Sequence, residues 1–204
     1  MEHGVLLVRG RREQVIRWVR RGTLPVHVVP GTPWTALVPA GPSRAAEPYA
    51  DGVAMLAAHP VRLRLKPAVG LWVDGDRAVI TCWPSRWRRG QRWVQWLPGE
   101  GPGPVTGFPL ARPVDLAQAT GFGRQEGAPG AIRDLLGDPG GTAADVLEDL
   151  AVLLGLPHAA VLRGKPAGDL PGAELVVPAD EAVQRFEKVV TDEQRLDTEV
   201  EEGL

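Results

Sequence analysis

Three features of the sequence predict a mixed α/β fold. Strand-like and helix-like segments alternate through residues 4–65, a strong hairpin signal follows at Asp74-Gly75, and a capped amphipathic helix occupies residues 142–154.

The first half is read in order. Gly4–Arg9 is an apolar run with two valines that stops at Gly10, which predicts a strand. Arg11–Arg21 predicts a helix, because Val15, Trp18 and Val19 fall at i, i+3 and i+4. Arg17, Arg20 and Arg21 lie near its C-terminal end, where cations suit the helix dipole, and Gly22 supplies a stop. Pro25–Val29 and Trp34–Val38 predict two strands joined by a tight Pro-Gly-Thr-Pro connection. A second helix is expected over Glu47–Ala58, with Pro48 in its first turn and Pro60 beyond its end. Val61–Leu65 alternates, with Val61, Leu63 and Leu65 on one side and Arg62 and Arg64 on the other, and predicts a half-buried strand with a basic outer face. The resulting β-α-β-β-α-β order is the ferredoxin-like arrangement. Gly70–Val73, Arg77–Trp83 and Arg92–Leu97 add a hairpin or meander to that sheet.

From Pro98 to Pro113 there are five prolines and four glycines, so regular structure is not expected. Beyond it, short helices are predicted at Val114–Thr120 and Ala131–Leu136. Thr142–Leu154 is the most clearly bounded helix, with Thr142 and Asp145 as a capping box and Gly155 as its stop. His158–Leu162 and Ala173–Val177 predict short strands. A last helix begins at Asp180, buries Val183, Phe186 and Val190, and turns acidic toward Leu204. The expected organisation is therefore a basic ferredoxin-like α/β domain over 1–98, a linker or long loop over 99–112, and a smaller, mainly helical, acidic α/β region over 113–204.

Composition narrows the class. An apolar share of 44% with 24% charged residues fits a folded globular chain, and no run approaches the eighteen or so apolar residues that a membrane span needs. The first residues lack a signal-peptide pattern, and the single cysteine, Cys82, can form no intrachain disulfide; a cytoplasmic location is expected. The net charge of −2 conceals a division: residues 1–98 carry fifteen Arg and Lys against six Asp and Glu, whereas residues 99–204 carry eight against nineteen. Such asymmetry points to halves that face each other or to an external acidic partner.

Catalytic patterns are weak. The four histidines have no metal-ligand spacing, Cys82 sits inside an apolar strand, and Ser43 and Ser85 form no nucleophile elbow. The glycine runs at 99–103 and 121–127 lack the strand-to-helix context of a phosphate loop. No metal and no cofactor is expected.

The stretch Thr81–Leu97 draws attention, because Trp83, Trp87, Trp93 and Trp96 interleave with arginines. Indoles and guanidiniums can stack on bases, and Arg pairs with carboxylates and phosphates. The plainer reading is a hairpin whose Trp83, Trp93 and Trp96 complete a sheet, with at most one of Trp93 and Trp96 in a core. On either reading Arg86, Trp87, Arg88 and Arg89 form the suspicious loop, with Arg92, Arg62 and Arg64 as further candidate binding residues. The expected function is a non-enzymatic protein that recognises an acidic protein surface, its own C-terminal half or a partner, including self-association. Nucleic-acid binding and an enzyme with a fold-assembled site are the alternatives.

Overall fold

A computed structural model describes residues 2–84 and 90–202, with side chains through residue 192 apart from Arg124. The chain runs β1 (His3–Val8), α1 (Arg12–Val19), β2 (Val26–Val29), β3 (Thr35–Pro39), α2 (Gly52–Ala58), β4 (Ala68–Asp74), β5 (Arg77–Trp83) and β6 (Arg92–Leu97). It continues with β7 (Gly101–Gly103), α3 (Pro113–Thr120), α4 (Ala128–Gly137), α5 (Ala143–Leu153), β8 (Glu174–Val176) and α6 (Asp180–Glu202). The mixed α/β expectation holds in outline, but the sheet is larger than expected. It has eight strands in the order β7-β6-β5-β4-β1-β3-β2-β8, and every strand pairing is antiparallel.

Alternation along the strands builds two cores, one on each face. On one face Leu6, Val8, Val28, Leu37 and Trp72 pack with Val15, Trp18 and Val19 of α1 and with Val53, Leu56 and Ala57 of α2. On the other, Val5, Leu7, Val69, Leu71, Ile80 and Trp96 pack with Leu116 of α3, Ile132 of α4 and Leu147 and Leu150 of α5. Residues after 98 thus cover one whole face and contribute both edge strands. Trp93 and Trp96 do point to opposite faces, yet both are buried, because each face has its own helical cover. The expectation that at most one belongs to a core is corrected on that ground.

Trp72 shows how closely the sheet is fitted. Its indole N–H donates to the Thr81 hydroxyl at 3.2 Å, and its ring lies over two glycines. A Cβ at Gly70 would stand 2.5 Å from Trp72 Nε1, and one at Gly4 would stand 2.6 Å from Trp72 Cε3.

Two expected strands are turns. Leu63–Leu65 is a 3-10 turn, and the place beside β1 goes to β4, which pairs through six residues with β1 and seven with β5. Pro60 and Pro67 bracket the 61–66 segment and remove ladder donors at both of its ends. Ala159–Arg163 is likewise a 3-10 turn, entered at His158 with φ 63° and left at Gly164 with φ 79°. It inserts Val161 and Leu162 into the second core, which a five-residue apolar run does as well from a turn as from a strand. Helix α2 starts five residues later than expected because the Asp51 side chain accepts from Ala54 N and sets the start there.

Candidate functional site

A concave feature runs along the outer side of α1. Helix α1 buries Val15, Trp18 and Val19 and therefore turns Arg17 outward, and Arg21, in the turn that follows the helix, is exposed as well. Its neighbour is the 61–65 segment. Val61 and Leu65 are both anchored in the α1/α2 core, so Arg62, Leu63 and Arg64 arch between them and are all exposed. Two bonds hold the arch against its surroundings: the Trp18 indole N–H donates to Pro60 O at 3.2 Å, and Arg9 N donates to Leu65 O at 3.1 Å. His59 packs edge-on to Trp18 at 4.6 Å; burial, assisted by the Arg62 guanidinium, pulls its imidazole pKa down to about 4.

Between helix and arch lies a cleft of about 370 Å³ lined by Arg17, Arg21, Arg62 and Arg64, with Trp18 among its walls. A second, more open cleft of about 910 Å³ shares Gln14 and Arg64 with it and extends past Arg11 and Arg12 to the Pro30–Pro33 turn. The two adjoin at Gln14 and Arg64 and together form the α1 trough. Glu13 also lines it, and Arg12 is ion-paired with Glu174. Arg11, Arg17, Arg21, Arg62 and Arg64 have no ion pair among the described residues.

The residues singled out in the sequence separate. Arg62 and Arg64 meet in the trough. Arg92 lies across the sheet from them, where its Nε is 3.6 Å from the buried Asp115 carboxylate and its Nη1 donates to Leu110 O at 3.3 Å. Arg86, Trp87, Arg88 and Arg89 lie outside the described residues. In the sequence Arg17 and Arg21 read only as cations that suit the helix dipole; the Arg-x-Arg pair at 62 and 64 is the local sign of the basic arch.

Cys82 is buried between β4 and β6, and burial, with the Asp115 charge, pushes its thiol up to about 12. A thiolate there is out of reach near neutral pH. Among the described residues no cluster of three or more His, Cys, Asp or Glu side chains is arranged to hold a metal ion, and no helix is long and apolar enough to cross a membrane.

A scan against protein-family models finds no match, and searches of curated proteins and of solved structures find none either.

Proposed function

We propose that this chain is a non-enzymatic binding protein that takes an acidic protein surface into the α1 trough. One observation carries the reading. Several arginines of the first half that face the second already have a carboxylate: Arg12 has Glu174, Arg44 has Asp180 at 2.8 Å, and Arg92 has Asp115. Arg11, Arg17, Arg21, Arg62 and Arg64 of the trough are exposed and have none among the described residues, so a group of five unpaired cations is left there for another molecule. Arginine suits this work because its planar fork bonds carboxylates bidentately.

On this reading 1–98 and 113–204, bridged by 99–112, act as one docked unit, with the first six elements as a ferredoxin-like unit. What supports that assignment is the inner strand order β4-β1-β3-β2 with α1 and α2 against one face. A cytoplasmic setting accords with the lone, buried Cys82.

The test is a fluorescence-anisotropy titration of the full chain with a labelled oligoglutamate peptide and, in parallel, a single-stranded DNA of equal charge. Oligoglutamate is expected to bind with an affinity that falls as salt rises. The exchange Arg17→Glu/Arg62→Glu should weaken it by roughly tenfold or more. Tighter binding of the DNA, lost in the same variant, would transfer the trough to nucleic acid, and binding of neither ligand at low salt would remove the proposal.

A further inference from the structure

We infer that the acidic surface is supplied by a second copy of this chain, which lays the distal part of its α6 into the trough. The inference rests on the reading of the trough given above and names its occupant.

Helix α6 is 23 residues long, about 35 Å. Its described ties to the body lie at its start: Ala179 N donates to Arg20 O at 2.9 Å, Asp180 pairs with Arg44, Val183 is buried, and Phe186 packs edge-on against Tyr49 at 5.2 Å. The sequence from 192 to 202 then holds six carboxylates, at Asp192, Glu193, Asp197, Glu199, Glu201 and Glu202, against the single cation Arg195. A bare helix of that charge is unfavourable alone and is suited to a cationic groove.

The acidic residues are regularly placed along the helix. Glu193, Asp197 and Glu201 recur every four residues, which on a helix is a repeat of about 6 Å. Arg17 of α1 and Arg21 of the turn after it stand four residues apart in sequence on one bank of the trough, with Arg62 and Arg64 opposite. Leu63 stands exposed between those two arginines, and in the sequence Leu196 and Val200 recur at the same four-residue step beside the acidic one. An acidic stripe with an apolar stripe alongside is what a basic trough with one exposed leucine accepts.

Arg11, Arg17, Arg21, Arg62 and Arg64 have no ion pair among the described residues, so their charge is available to a second copy. Each copy offers one helix and one trough, and reciprocal exchange between two copies satisfies both and closes as a dimer.

Sedimentation velocity of the full chain over a range of concentrations tests this. A dimer is expected at low salt, dissociating as salt is raised. Two charge-reversed variants sharpen it: Arg17→Glu/Arg21→Glu/Arg62→Glu in the trough, and Glu193→Lys/Asp197→Lys/Glu201→Lys in the helix. Each alone should be monomeric, and an equal mixture should recover a dimer, because the reversed helix now fits the reversed trough and the two native surfaces fit each other. A monomer at all concentrations, a dimer indifferent to both variants, or no recovery on mixing would overturn the inference. The oligoglutamate titration separates the two levels. If that peptide binds and the chain stays monomeric, the trough reading stands and only its occupant is wrong; if neither occurs, both fall.

Discussion

His59 carries two consequences of its burial against Trp18. An unfolded histidine binds its proton near pH 6.5, whereas this one, held neutral by burial and by Arg62, does so only near pH 4. Between those values the unfolded chain binds more protons than the folded one, so stability rises with pH across the window and is lost as pH falls through it. From pH 7.5 to 5 the loss traceable to His59 is about 2 kcal/mol. Urea unfolding of the wild type and of His59→Gln at both pH values reads it, and an equal pH dependence in the two proteins would refute the assignment. His59 also braces the Trp18 wall of the trough, so the same acid range should loosen the cleft. Gly4 and Gly70 illustrate another point at this scale. In the sequence they look like ordinary weak points within strands; in the fold a Cβ at Gly4 would meet Leu71 O and the Trp72 ring, and one at Gly70 would meet the Thr81 hydroxyl and the same ring.

The arch at 61–65 is the element whose correction matters most. Its alternation, Val61-Arg62-Leu63-Arg64-Leu65, is the pattern of a half-buried strand, and five residues are too few to tell a strand from a turn pinned at both ends. The two readings differ in measurable terms. A strand would bury Leu63 and Leu65 together, whereas the arch exposes Leu63 to 57% and buries Leu65 to 2%. Leu65→Ala is therefore expected to cost about 2–5 kcal/mol in denaturant unfolding, and Leu63→Ala to stay within about 0.5 kcal/mol of the wild type. Equal losses would restore the strand. Elements with their own local instructions were readable from the sequence: α1 from its apolar spacing, the β4–β5 hairpin from Asp74-Gly75, and α5 from the reciprocal bonds of Thr142 and Asp145. The convergence of Arg17 and Arg21 with Arg62 and Arg64 was not, because it depends on the bond from Trp18 to Pro60, 42 residues away.

At the scale of the molecule, the charge division of the sequence has a smaller part in holding the two halves together than its size suggests. The second half docks through an apolar face, Leu116, Ile132, Leu147 and Leu150 against Leu7, Leu71, Ile80 and Trp96. The pairs Arg12–Glu174 and Arg44–Asp180 are largely exposed, and exposed pairs contribute about 0–1 kcal/mol each. Raising NaCl from 0.05 to 1 M should thus leave a single unfolding transition with a nearly unchanged midpoint, while it dissolves any complex made through the trough. Two separated transitions, or a large loss of stability in salt, would show that charge is the main adhesive between the halves.

That sheet, covered by helices on both sides and closed at its edges by β7 and β8, also has an order of completion. The face that receives α3, α4 and α5, and both three-residue borders, are finished by residues that leave the ribosome after the six inner strands. Until they arrive, Leu7, Leu71, Ile80 and Trp96 line an open greasy plane flanked by unpaired strand backbone, the state most prone to stick to its neighbours. A product cut short near residue 98 would keep the trough and leave that plane uncovered, so residues 99–204 make the segment before them safe during synthesis.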